Sequence, residues 1–341
     1  MKAIFYRKSG DPEVVETDEP KINNKDWIIV KVERVGLCGS DIQKFLSKRS
    51  PKTYSSTAVL GHEIAGRVVE VGEDVSQIKI NDRVVINPLI FCGYCGSCRQ
   101  KKFQLCENLK SVGKNLQGGF AEYISIPAKN ALKFSRKINF DEACLNDLVA
   151  VGIHSFHLAK SPRKKTILII GDGPVALILI QILRYYENKL YILGKHSKNI
   201  VIAKSLGARV ESPKPTDQRQ FDIIFETVGR RQSDTMTTAI SRVKLGGIII
   251  VLGVFDFGFI GKIQFRELFY KEITLLGSNS YGFWKNKDEF NKALRLVETG
   301  IIKPKKIVSH VFSLTEFRKA LNYIKGKNQY QTVKILFDPG R

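Results

Sequence analysis

Two groups of side chains in this sequence have the type and spacing to hold metal. The first is "CGYCGSC" with the cysteine of "RQKKFQLC", which gives C-x2-C-x2-C-x7-C through Cys92, Cys95, Cys98 and Cys106. Four thiolates on tight glycine-containing turns suit tetrahedral zinc, and an iron–sulfur cluster uses the same ligand set. Thiols filling all four positions leave none for a substrate, so this centre reads as structural. The second group is dispersed: Cys38 in "GLCGSD", and His62 with Glu63 in "GHEIAG". A thiolate, an imidazole and a carboxylate can hold catalytic zinc with one position open. Taken singly, Cys38 could be a buried hydrophobe and His62–Glu63 a surface pair.

A third constellation could hold a dinucleotide. Gly171, Gly173 and Ala176 form G-x-G-x-x-A between a strand-like run, "KTILIIG", and a helical one, "PVALILIQILRYYEN". The first Gly permits a tight turn and the second lets backbone approach a pyrophosphate. Ala at the third position lets helix pack on strand. The helix start, at Pro174 and Val175, offers free N–H groups to phosphate. An Asp or Glu usually stands about 20 residues on, against the ribose 2′-OH. Gly194 occupies that place here, followed by Lys195, His196, Ser197 and Lys198. Without an acid to repel it, a 2′-phosphate can be met by these cations and the hydroxyl, which reads as NADP(H) in preference to NAD(H). The plain alternative is a solvated loop.

The elements that must position these groups fall into two textures. Residues 1–130 are β-rich, with "WIIVKVERV", "EIAGRVVEVG", "DRVVINPLI" and "AEYISIP" broken by Gly, Pro, Asn and Asp. From about 164, short apolar strands ("KTILIIG", "KLYILG", "FDIIFETVG", "GGIIIVLG") alternate with helical patterns, as in a doubly wound parallel sheet. Beyond 284, two amphipathic helices precede a last strand, "QTVKILFDP". The 341 residues suffice for two domains. No run has the ~18 apolar residues of a membrane span, and the N-terminus has no apolar signal core, so a cytoplasmic protein is expected. Six cysteines in such a chain favour metal over a disulfide framework. The net charge of +22 raises the question of nucleic acid. Its basic residues are scattered, however, and no nucleic-acid motif accompanies them.

Taken in order, "GLCGSD", "GHEIAGRVVEVGEDV", the four-cysteine lobe, "GGFAEYISIP", "GDGPVA", "FDIIFETVG" and "KLGGIIIVLG" resemble the zinc-containing medium-chain alcohol dehydrogenase family across essentially the whole chain. The GHE segment carries Gly66 and Gly72 in the family's places. The resemblance implies an α/β protein: a GroES-like, β-rich catalytic domain from residues 1–150 and 285–341, with a structural zinc lobe at about 88–110, and a doubly wound Rossmann domain at 151–284. It implies two zinc ions per subunit. Cys38, His62, Glu63 and Asp147 would be catalytic-zinc ligands, Glu63 being the carboxylate that ligates in polyol-type relatives. Cys144, beside Asp147, fits core packing better. Ser40 would pass on the alcohol proton and Asp41 would orient His62. Val228, Gly229, Leu252, Gly253 and Ser278 would line the nicotinamide side.

Two residues depart from the family pattern: Gln43 stands where a relay His is common, and Leu148 where a Pro usually follows the variable ligand. The implied reaction is hydride transfer between NADP(H) and a secondary alcohol, polyol or sugar-like substrate or its ketone, by a homodimer or homotetramer. The alternatives are a zinc-free quinone-reductase-like enzyme, which an intact Cys38/His62/Glu63 set disfavours, and an anion- or nucleic-acid-binding protein with residual cofactor binding.

Overall fold

The computed structural model describes residues 1–6, 12–46, 58–212 and 219–341. The chain divides into two compact units, Met1–Asp147 with Lys285–Arg341, and Leu148–Trp284.

In the first unit, β1 (Trp27–Gly36) leads through two residues into α1 (Gly39–Leu46) and pairs antiparallel with β2 (Glu63–Val71). These two strands sit inside a seven-stranded mixed sheet. Tyr123–Pro127 also pairs with β1, and Lys334–Asp338 joins the end of β1 at Val35 and Gly36. Val308–Ser313 then lies parallel to Lys334–Asp338. The sheet is therefore closed by residues from both chain ends, which is the GroES-like arrangement. Apolar residues from β1 and β2 fill its core, together with an aromatic cluster of Phe45, Phe120, Phe317 and Phe337. Phe45 of α1 stacks edge-on against Phe317 at 4.8 Å, and Phe317 lies 5.0 Å from Phe337. Each such pair contributes about 0.5–1.5 kcal/mol beyond its buried area. The cluster fixes α1, and hence Ser40 and Asp41, relative to the sheet.

The second unit opens in α2 (Asn146–Leu158), which belongs to it from Leu148 on, and continues as strand–helix alternation. In order come β3 (Thr166–Ile170), α3 (Pro174–Tyr185), β4 (Lys189–Leu193), α4 (Ser197–Ser205), β5 (Arg209–Val210) and β6 (Phe221–Glu226). Then follow α5 (Asp234–Arg242), β7 (Val243–Val251), α6 (Phe265–Tyr270) and β8 (Thr274–Gly277). All six strands are parallel, in the order β5-β4-β3-β6-β7-β8. This is a Rossmann-type sheet whose strand order reverses between β3 and β6. Its central strands are buried on both faces, which is why they read as unbroken apolar runs. Ala176 through Leu183 of α3 are all buried, with Gln181 the one polar residue among them, so this part of the helix is covered on every side.

Candidate functional site

Strand register brings the dispersed metal-type residues together. Gly36 at the end of β1 is paired with Glu63 at the start of β2, so Cys38 and His62 lie just beyond the same sheet edge. The ligand atoms of Cys38, His62 and Glu63 lie within 4.8 Å of one another. Asp41, fully buried in the first turn of α1, accepts a bond from the Cys38 N–H at 3.1 Å and places Oδ1 3.6 Å from His62 Nδ1. That distance is an ion-pair contact rather than a hydrogen bond, and Asp41 Oδ1 is buried without a hydrogen-bond partner among the described residues.

Burial alone would raise the Asp41 carboxyl, but the facing His62, with Lys44 and the Cys38 N–H, holds it below its usual range. Burial likewise disfavours charge on His62, yet the negative charges of Asp41 and Cys38 push it well above the ordinary histidine value. A cluster that favours positive charge on an imidazole beside a buried carboxylate and a cysteine sulfur is one that suits a cation. The donor set, soft sulfur with nitrogen and oxygen, fits zinc.

Glu63 has a partner that the motifs did not reveal. Lys334 in the C-terminal strand is 2% exposed. Its Nζ donates to Glu63 Oε1 at 2.8 Å and to the Leu37 carbonyl at 2.9 Å, and lies 2.6 Å from Glu63 Oε2. Burial would draw its ammonium down, but the Glu63 carboxylate keeps it above the usual lysine range. The carboxylate lies so close to β1 that a Cβ at Gly36 would strike Glu63 Oε2, so this position has room only for glycine. Cys144 is fully buried, and burial, reinforced by the Glu63 charge, keeps it a thiol well above its usual range, as befits core packing. Ser40 is half-buried at the second residue of α1. Asp147, buried in the first turn of α2, is not among the residues of the Cys38/His62/Glu63 cluster.

The four-cysteine lobe hangs from a minimal neck, Leu89–Ile90 paired with Lys110–Ser111. Inside it, Cys92, Cys95, Cys98 and Cys106 gather their sulfurs, with Cys92–Cys98 at 3.9 Å, Cys95–Cys106 at 3.9 Å and Cys106–Cys92 at 3.5 Å. Four sulfurs at about 2.3 Å from one tetrahedral centre stand about 3.8 Å apart. A disulfide would need about 2.05 Å, and all four thiols are free. Burial would raise Cys92, but the N–H groups of Tyr94 and Cys95 and the Cys106 thiol bring it down to about 6. Burial, with its neighbouring sulfurs, pushes Cys98 up to about 12. The Phe91–Phe103 stack, with centroids 3.9 Å apart, is the lobe's main aromatic packing. So small a core needs a staple. Cys98→Ser is expected to lower bound zinc by one ion per chain in metal analysis and to make residues 88–110 the first site of protease cleavage. Unchanged zinc content would contradict a structural ion there.

In the second unit the glycine turn and its partners form one row. Register aligns Ile170 with Leu193 and Glu226, Glu226 with Val251, and Val251 with Gly277. The residues that follow these positions, Gly171, Gly194, Val228–Gly229, Leu252–Gly253 and Ser278, thus lie along the C-terminal ends of five adjacent parallel strands. In open α/β sheets this edge, at the reversal of strand order, is where ligands bind. Gly171 has φ +108°, and Gly173 caps α3 with Pro174 in its first turn. A Cβ on Gly173 would meet nothing within 4 Å, so the turn faces open space that a pyrophosphate can fill. Ala176 is fully buried under the helix. Ser278 Oγ is buried with no hydrogen-bond partner among the described residues.

Two acids in this unit went unnoticed in the motifs. Glu226, fully buried at the end of β6, accepts from the N–H groups of Val228 and Gly229 and from the Thr235 hydroxyl at 2.9–3.0 Å. Its carbonyl takes the N–H groups of Leu252 and Gly253. One residue therefore shapes two of the strand-end loops. The second acid, Asp172, changes the reading of Gly194. The space beside Gly194 is not empty: a Cβ there would come 2.5 Å from Asp172 Cβ and 2.7 Å from its Oδ2. Asp172 Oδ2 accepts from the N–H groups of Lys195 and His196, and Oδ1 lies 2.8 Å from His196 Nδ1. Lys195 and Ser197 are exposed, while His196 and Lys198 are half-buried.

Residues 24–136 match the model of the alcohol dehydrogenase GroES-like domain, and residues 174–299 match that of the zinc-binding dehydrogenase. The chain is 26% identical to the sorbitol dehydrogenase of Bacillus subtilis, over 100% of this chain and 98% of that one. It superimposes on the crystal structure of galactitol-1-phosphate dehydrogenase from Escherichia coli with a TM-score of 0.89 and 25% identity, covering 99% and 100% of the two chains. A Sinorhizobium meliloti chain solved with NADP bound is equally similar, at TM-score 0.89 and 27% identity over 99% of each chain.

Proposed function

Since the chain belongs to the zinc-containing medium-chain alcohol dehydrogenase family, we propose that it transfers hydride between NADP(H) and a secondary alcohol, polyol or sugar-like substrate and its ketone. The observation that carries this reading is the convergence of Cys38, His62 and Glu63 within 4.8 Å beside a fully buried Asp41. Polyol and polyol-phosphate dehydrogenases among the relatives support the substrate class.

In this reading Cys38, His62 and Glu63 hold a catalytic zinc ion, which supplies Lewis acidity to the substrate oxygen when bound. Asp147, outside that cluster, would complete the set as a further carboxylate ligand. Asp41 faces His62 Nδ1 and favours the tautomer that leaves Nε2 for the metal. Ser40, next to Asp41 in α1, is the hydroxyl that takes the alcohol proton. Gln43 cannot titrate, so the proton leaves by water or by a cofactor ribose hydroxyl rather than through that side chain. The second zinc ion belongs to the cysteine lobe. The nicotinamide dinucleotide provides the redox chemistry, and Gly171, Gly173, Pro174 and Val175 receive its pyrophosphate at the start of α3. Val228, Gly229, Leu252, Gly253 and Ser278 line the strand ends beyond. Lys195, His196, Ser197 and Lys198 meet the 2′-phosphate. The expected result is a kcat/KM for NADP at least tenfold above that for NAD, and a clear NAD preference would overturn the phosphate assignment.

We further propose a homodimer or homotetramer joined at the edge strand β8, which pairs with β7 alone among the described residues. Its sequence, "TLLG", has neither the charges nor the proline that protect free edges. In the sequence that leads to it, Phe257 and Ile260 are over 90% exposed, and Phe265 and Phe269 over 70%. Antiparallel pairing with the same strand of a second copy is self-complementary. Light scattering should give a mass of at least twice the 38.5 kDa of one chain. A monomer at micromolar concentration would contradict this.

A further inference from the structure

The proposed dinucleotide site contains an acid after all, moved from the end of β4 into the glycine turn. Gly194 and Asp172 explain each other: with the Asp172 side chain in place, any Cβ at 194 collides with it. Asp172 is 5% exposed and its carboxylate is already engaged. Oδ2 takes two backbone N–H groups, at 2.8 Å from Lys195 and 2.6 Å from His196, and Oδ1 faces His196 Nδ1 at 2.8 Å. Its carbonyl accepts from Asn199 Nδ2 at 2.7 Å, which ties the start of α4 to the same turn. A carboxylate so occupied has little capacity left for a ribose diol. An ionised carboxylate is acceptor-only, so Nδ1 must carry the proton. That leaves Nε2, without a hydrogen-bond partner among the described residues, as the imidazole's free group, on a side chain that is 24% exposed.

We propose that Asp172 is a positioning residue for cofactor choice: it holds the His196 ring through Nδ1–H in the orientation in which Nε2 meets the 2′-substituent of the adenosine ribose, so that the acid acts on the cofactor only through the imidazole. This rests on the NADP reading above. Under it, Nε2 shares one proton with an oxygen of the 2′-phosphate, beside Lys195 and Lys198. The carboxylate that would repel that phosphate is shielded by the three N–H groups it accepts. The usual arrangement places an acid directly on the ribose; here an acid supports an imidazole instead.

The test is direct titration of the purified zinc-loaded enzyme with NADPH and with NADH, followed by reduced-nicotinamide fluorescence, for wild type, Asp172→Asn, His196→Ala and the double variant. Each single change should raise the Kd for NADPH about tenfold and that for NADH less than twofold. The double variant should be no weaker than the weaker single one, because both remove the same contact. His196→Ala leaves both backbone bonds to Asp172 in place, so it reports on the contact even if Asp172→Asn loosens the loop. Losses that multiply to about a hundredfold would overturn the proposal, as would an Asp172→Asn variant that weakens both cofactors alike. Wild type binding NADH more tightly than NADPH would instead refute the NADP reading. If Asp172→Asn then loses NADH while His196→Ala does not, the carboxylate contacts the ribose directly.

Discussion

Replacing Cys38 by Ser, or His62 by Ala, is expected to lower kcat/KM for alcohol oxidation by about 10³-fold or more while changing the Kd for NADPH less than twofold. The size follows from the several kcal/mol that Lewis-acid stabilisation supplies, at about 1.4 kcal/mol per factor of ten. The selectivity follows from the chain's division of labour. Cys38 and His62 stand on the sheet of the first unit, whereas Gly171, Gly173 and the strand-end row belong to the second. Steady-state kinetics, fluorescence titration and metal analysis on the same preparations check it. Zinc content should fall by one ion in either variant, and Cys92, Cys95, Cys98 and Cys106 should retain the other. A variant that loses the ion but keeps its turnover would favour the zinc-free reductase reading.

The second large effect is expected at Lys334, far from any motif. Lys334→Met removes the charge that, among the described residues, faces Glu63 in hydrogen-bond contact, and leaves a carboxylate that is fully buried. Breaking a buried ion pair from one side costs about 3–5 kcal/mol, and in a unit of this size that should lower the melting temperature by roughly 10 °C. Adding Glu63→Leu should recover much of the loss, because a buried pair exchanged for apolar side chains is often neutral. Activity should not return, since Glu63 is also a proposed zinc ligand. Recovery of stability without turnover separates the two roles of this carboxylate. A Lys334→Met enzyme that melts with the wild type would show that Glu63 has another partner.

The chemistry-bearing residues were legible in the sequence where several functional atoms share a short segment. The four cysteines, the glycine turn and the His62–Glu63 pair each carry spacing that local geometry explains. So were β3, β4, β6 and β7, because strands buried on both faces must be apolar throughout. Helix α1 was hidden by its length and by the Gly, Ser and Asp residues at its start. These residues read as a loop until Asp41 is seen to accept the Cys38 N–H. The 13 residues of α2 mix Val, Ile and Gly in a way that suits no single period.

Lys334 could have been found: a lone cation within "TVKILF", all of it buried, requires a buried anion, although nothing local names Glu63. Asp172 is the instructive case. The absence of an acid at Gly194 points to a 2′-phosphate with no carboxylate nearby, yet an acid 22 residues earlier packs against that glycine. Such exchanges across a parallel sheet edge are tertiary contacts, and a search confined to one position past the motif cannot detect them.

The account stands most directly on whether alcohol turnover needs metal at the Cys38 site. The decisive measurement is NADP-linked oxidation of a panel of polyols and secondary alcohols by wild type and by Cys38→Ser, before and after removal of the exchangeable metal and its replacement with zinc. The account predicts that metal removal abolishes wild-type turnover, that one equivalent of zinc restores it, and that Cys38→Ser is restored by none. Full turnover in the metal-depleted wild type would contradict it.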